Sequence, residues 1–107
     1  MKGMQGGMQK FIQQANQLQQ KVKKLQEELA TREFKGTAGG DAVTVTVNGD
    51  NKLLNLNIKE EVMKSGDVEM LQDLILTATN EALRVAKETS DTEMNKLTGG
   101  FGLPGMM

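Results

Sequence analysis

The chain predicts an α+β fold in the order α-β-β-β-α: a long helix, a three-stranded antiparallel β-meander and a second long helix. Three observations carry this. Met8, Phe11, Ala15, Leu18, Val22, Leu25 and Leu29 recur at alternating steps of three and four, the spacing of a helix with one narrow apolar stripe. Val43, Val45 and Val47 alternate with Thr44 and Thr46, and Leu54, Leu56 and Ile58 with Asn55 and Asn57, as in half-buried strands. Leu71, Leu74, Ile75, Ala78, Ala82, Val85 and Ala86 then return to the helical period.

Residues 1–7 (MKGMQGG) are rich in Gly and are expected to be disordered. The first helix is expected from near Met8 to Thr31 or Arg32, about 25 residues and roughly 37 Å. On a heptad wheel Met8, Ala15, Val22 and Leu29 occupy a, and Phe11, Leu18 and Leu25 occupy d. Ile12 widens the stripe at e, Lys21 flanks it at g, and Lys10, Lys23 and Lys24 fall on the outer b and c positions.

Glu33 to Ala38 reads as a strand anchored by Phe34, and Gly39-Gly40-Asp41 as a turn. Ala42 to Val47 forms the next strand. Asn48-Gly49-Asp50-Asn51 forms a second turn, in which Asn-Gly is a hairpin signal. Tight turns between neighbouring strands imply a meander with one apolar face. Lys59 to Gly66 reads as a polar connector. Ser65 or Asp67 can cap a helix from about Val68 to near Leu97, where Asp67, Glu69 and Asp73 suit the positive helix start. Ala78, Ala82 and Ala86 admit the close approach of a sheet or helix. The tail Gly99 to Met107, with Pro104, is expected to be irregular and flexible.

The 107 residues make one domain. Only 3% are aromatic, so the core must be aliphatic and thin. Six-residue strands span about 17–20 Å, roughly half the length of either helix. Each helix therefore overhangs the sheet, and an overhanging apolar stripe is unstable alone in water. A two-fold homodimer resolves this, with Phe11, Leu18, Val22, Leu25, Leu29, Val43, Val45, Val47, Leu71 and Ile75 as core or dimer residues.

The composition points away from an enzyme. There is no His and no Cys, which removes the usual general base, the strongest nucleophile and any thiolate metal site. Ser65 and Ser90 lack a partner base, Glu60-Glu61 reads as solvated connector, and Gly39-Gly40 and Asn48-Gly49 join strands and lack the Lys-Ser/Thr of a phosphate loop. No cofactor, metal, small-molecule substrate or membrane partner is expected. No run approaches transmembrane length, and a cytoplasmic location is the natural expectation.

What remains is binding. Residues 1–26 hold Lys2, Lys10, Lys21, Lys23 and Lys24 and no acid, so they carry +5 while the remainder carries −6 against a total of −1. A basic arm on an acidic body calls for an anionic partner. Lys10, Lys21, Lys23, Lys24 and Arg32 suit nucleic-acid phosphates, with Lys87 and Lys96 as weaker candidates on the last helix. Eight Gln residues between Gln5 and Gln26 add donors. With Lys dominant and no Tyr or Trp, positioning on a duplex backbone fits better than single-strand stacking or base readout.

These residues also resemble the YbaB/EbfC family of bacterial nucleoid-associated proteins over nearly the whole length. The resemblance rests on the Gln- and Lys-rich opening helix, Gly36-Thr37-Ala38-Gly39-Gly40, Val43 to Gly49 (VTVTVNG), Glu69 to Glu81 (EMLQDLILTATNE) and Leu103-Pro104-Gly105. It implies two long helices around a three-stranded sheet and a tight, tweezer-like homodimer. It also implies binding of double-stranded DNA, a change in DNA shape, and a role in nucleoid organisation and gene regulation. The Val-rich strand and Asn80-Glu81-Ala82 are implied to serve fold and dimer. The resemblance places DNA contacts on the helical arms without assigning them one by one, so the Lys and Arg choices rest on charge. The alternative reading is a protein-interaction module, prefoldin-like or adaptor-type, that grips partners with its helical arms.

Overall fold

A computed structural model describes the backbone of residues 2–99 and the side chains of residues 7–99. The elements are α1 (Lys2–Thr31), β1 (Glu33–Ala38), β2 (Val43–Asn48), β3 (Leu53–Ile58), α2 (Glu60–Ser65) and α3 (Val68–Gly99). The expected fold class is the one observed, with strand order β1-β2-β3, every neighbour antiparallel. The molecule measures 77 × 21 × 16 Å.

α3 lies along β1 and β2, and the core sits in that single interface. Val43, Val45 and Val47 are fully buried on the central strand, with Phe34 and Ala38 from β1, Ala78, Ala82 and Ala86 from α3, and Leu29 from the end of α1. Burying each of the three valines contributes about 2 kcal/mol. Leu71 and Ile75 pack at the edge of this cluster. The alanine ladder is met by the sheet: a Cβ at Gly36 would collide with the Ala78 carbonyl and the Ala82 amide, so β1 rests on the helix backbone itself. The other sheet face is polar, with Thr46 buried between its cross-strand partners Lys35 and Asn55.

Three features differ from the sequence reading. α1 begins at Lys2 and not near Met8, so the helix runs through Gly3, Gly6 and Gly7. Extending an existing helix costs only the propensity of each added residue, about 1 kcal/mol for Gly, whereas nucleation is the expensive step. Lys59 to Gly66 is not a plain connector, because Glu60–Ser65 is helical. Its acids stand in the first turn, Lys64 lies 3.9 Å from Glu60 one turn later, and Gly66 closes it in the left-handed conformation. Of the two caps the sequence offers for α3, Asp67 is the one used, its carboxylate accepting from the Met70 amide at 3.0 Å. Ser65 Oγ accepts from the Asp67 amide and donates to the Val62 carbonyl.

The third difference is in β3. A bulge at Thr46/Val47 sets Leu53 opposite Val47, makes Leu54 the extra residue, and keeps Leu56 and Ile58 opposite Val45 and Val43. Leu53, Leu56 and Ile58 thus share the α3-side face, but α3 covers β1 and β2 and leaves this strip bare. Leu53 is 51% exposed and Leu56 42%. The expected irregular tail lies, apart from Gly99, outside the described residues.

Candidate nucleic-acid interface

The chain turns sharply from α1 into β1, and β1 runs back along α3. Gly36 on β1 meets Ala78 and Ala82, and Gly39 just beyond it meets Leu74. α1 therefore joins the body near the C-terminal half of α3, where Leu25 and Leu97 line a common cleft. The residues of α1 before Leu18 continue past the end of α3 as a projecting arm; Lys2 to Leu18 spans about 24 Å. Burial along the apolar stripe follows this geometry. Leu29 is buried, Leu25, Val22, Leu18 and Ala15 are half-buried, and Met8, Phe11 and Ile12 stand in solvent.

The lysines take two sides of α1. Lys10, Gln14, Gln17, Lys21 and Lys24 succeed one another at steps of four, three, four and three, which keeps them on one flank of the stripe. Lys23 is turned about 100° from Lys24, onto the opposite flank. All four lysines are exposed. At the root of the arm, Lys21, Lys24, Leu25 and Glu28 of α1 face Glu93, Lys96 and Leu97 of α3 across an open cleft of about 390 Å³. Leu25 and Leu97 give it an apolar floor. Lys96 is the basic residue of the last turn of α3, where the helix dipole favours a cation.

The remaining cations sit elsewhere. Arg32 is paired with Glu28 at 2.8 Å, one helical turn back. Lys87, nine residues before Lys96, lies on the opposite side of α3 and lines a groove with Gly49, Asn51, Leu83, Ala86, Ser90 and Asp91. Arg84 was not singled out by the sequence, and its guanidinium is held between Glu81 and Glu88. The hydrogen bond from Arg84 draws the Glu81 carboxyl below its usual range, and the two carboxylates push the Arg84 pKa further up. The structure thus brings Lys21, Lys24 and Lys96 together and keeps Lys23, Arg32 and Lys87 apart from them. Glu28 and Glu93, which bound the cleft, were not legible as site residues. Gln14 and Gln17 were visible only as two of eight glutamines, although their three-and-four spacing from the lysines was there to be read.

Among the described residues, no three His, Cys, Asp or Glu side chains are grouped to hold a metal ion, and no helix is long and apolar enough to cross a membrane.

The chain is similar to known proteins over its whole length. It is 51% identical to a nucleoid-associated protein of Clostridium novyi (strain NT) over 106 residues, covering 97% of this chain and 93% of that protein. It is 46% identical to a nucleoid-associated protein of Bacillus thuringiensis (strain Al Hakam) over 107 residues, covering 100% and 98%. The crystal structure of an uncharacterized protein from Helicobacter pylori shares the fold, with a TM-score of 0.67 at 20% identity over 78% of this chain and 88% of that one. The model of the YbaB/EbfC DNA-binding family matches residues 4–101. The chain belongs to the YbaB/EbfC DNA-binding family, whose relatives here are nucleoid-associated proteins of bacteria.

Proposed function

We propose that the protein is a non-enzymatic homodimer that binds double-stranded DNA through its backbone phosphates, alters the shape of the duplex and contributes to nucleoid organisation and gene regulation. The observation that carries this is the α1 arm, which projects beyond the sheet and bears Lys10, Lys21, Lys23 and Lys24 before the first acid of the chain, Glu27. Lysines on a helix surface neutralise phosphates without reading bases. Arg32, Lys87 and Lys96 complete the set of candidate contacts. Relatives named nucleoid-associated proteins support a nucleoid location.

Support for the dimer comes from β3. It is an edge strand with a row of unpaired backbone groups, and the strip formed by Leu53 and Leu56 lies bare. The flank of α3 on that side carries Leu83, which shares a groove with Gly49 and Asn51 of the β2–β3 turn, and Leu76, two helical turns earlier and 61% exposed. Strip and flank form an apolar trough that a second copy fills at once, and the exposed Phe11 and half-buried Leu18 add to the surface available for pairing.

The bare Met8, Phe11 and Ile12 on the arm favour a second reading, a protein-interaction arm of prefoldin-like or adaptor type. A salt series of duplex binding, with sedimentation in the same buffers, decides between them. Affinity for a dimer that falls steeply with salt supports the DNA reading. No duplex binding at low salt, with suppressed aggregation of an unfolded client, supports the second.

A further inference from the structure

We propose that one phosphate strand of the duplex runs along a single flank of α1, over Lys10, Gln14, Gln17, Lys21 and Lys24, and ends in the α1–α3 cleft, where Lys96 closes the track. This rests on the DNA-binding reading and says which side of the arm faces the duplex.

Three observations converge on it. The five α1 residues form one continuous row, three cations interleaved with two amides, and no acid interrupts it. The row leads into the place where a second element supplies a cation to the same cleft, so Lys21, Lys24 and Lys96 draw on the same anion from two helices. The row then stops at carboxylates: Glu28 is its next member on α1, and Glu93 faces it from α3. The net positive charge of the row ends there, since Glu28 is ion-paired with Arg32 and Glu93 faces the cleft. A polyanion is therefore drawn along the row only as far as its root.

The opposite flank has no such continuation. Lys23 stands there with Gln9, Asn16 and the exposed Ile12, and no cation of α3 reaches it through the cleft. From Lys10 to Lys24 the row spans about 21 Å. Laid along the duplex axis, that length matches about six phosphates of one strand, at 3.4 Å each. Three lysines cannot reach all six, and the interleaved glutamine amides donate to those between. Their role is to hold register on the backbone, without base readout.

The test is the salt dependence of full-length protein on a 20–30 base-pair duplex, with circular dichroism and sedimentation confirming that each variant keeps its fold and assembly. Lys24→Gln and Lys96→Gln should each flatten the slope of log affinity against log salt by about 0.9 per protomer. Added charge keeps the test independent of lost stability: Gln17→Lys, on the row, should steepen the slope by about 0.9 per protomer, and Asn16→Lys, on the other flank, should not. If Asn16→Lys moves the slope as much as Gln17→Lys while the wild type binds, the track is wrong and the DNA reading survives. If the wild type shows no salt-dependent duplex binding, the DNA reading fails and the track fails with it.

Discussion

Gly49 lies directly against the carbonyl oxygen of Leu29, so close that a Cβ on Gly49 would overlap it. The tip of the β2–β3 hairpin thereby braces the last turn of α1, at the point where the arm leaves the body. The Asn48-Gly49 signal did mark a hairpin, but for another reason than the usual one. Asn51, and not Gly49, takes the left-handed conformation, at φ 62°, while Asn48 Oδ1 accepts from the amides of Asp50 at 2.9 Å and Lys52 at 3.1 Å. Gly49 is required by crowding against backbone. Gly49→Ala should cost about 2–3 kcal/mol in urea unfolding, because the atom it meets has no side-chain freedom to yield.

Gly36 is the equivalent position between sheet and helix. Gly36→Ala should force β1 off the Ala78–Ala82 segment and destabilise the fold by about 3 kcal/mol or more, read as a lower urea midpoint. Gly40→Ala is the contrasting case. Gly40 has φ 62° with open space around it, so the cost should be only the conformational one, about 1 kcal/mol.

Asp67→Ala removes the acceptor for the Met70 amide at the start of α3. The loss should be about 1 kcal/mol, and Asp67→Asn should recover most of it. Equal loss in both variants would mean that charge at the helix start, and not the hydrogen bond, is what counts.

Leu56→Asp places a carboxylate on the bare strip of β3. Leu56 is 42% exposed in the single chain, so the protomer should fold with an unchanged helical spectrum. Sedimentation should report a monomer, and duplex affinity should fall because two arms no longer act together. A dimer of undiminished stability would move the pairing surface away from β3.

Glu81 titrates below its ordinary value of 4.5 because Arg84 hydrogen-bonds its charged form. A carboxyl whose pKa is lower in the folded chain stabilises the fold above the unfolded value and loses that contribution as pH falls through the folded one. Glu81→Gln should therefore differ from wild type at neutral pH, and the difference should vanish in acid below 4.5. Both side chains are exposed, so the effect should be small and weakened by salt.

Most of the fold was legible because its patterns are local. The three-and-four spacing of α1, the Val-Thr alternation of β2 and the Ala78-Ala82-Ala86 ladder each carry their own period, and each became the element it spelled. What escaped depended on partners remote in sequence. The α2 helix is too short to show a period and is held by Gly66 at its end. The bulge that makes Leu54 the extra residue follows from pairing with β2, and no run of six residues announces it. The bareness of Leu53 and Leu56 depends on where α3 lies across the sheet. The lysines were visible as charge, but their division between two flanks and the meeting of Lys21 and Lys24 with Lys96 required the packing of α1 on α3.

The 77 Å length has a consequence for the first encounter with a target. The lysine arm extends from one end, while Glu60, Glu61, Asp67 and Glu69 gather at the other, around α2 and the start of α3. Such a rod carries a permanent electric moment along its axis. In the field of a polyanion each protomer experiences a torque that swings the arm forward and the acidic end away before anything touches. Collisions then begin already oriented, and at low ionic strength arrival is faster than random tumbling allows.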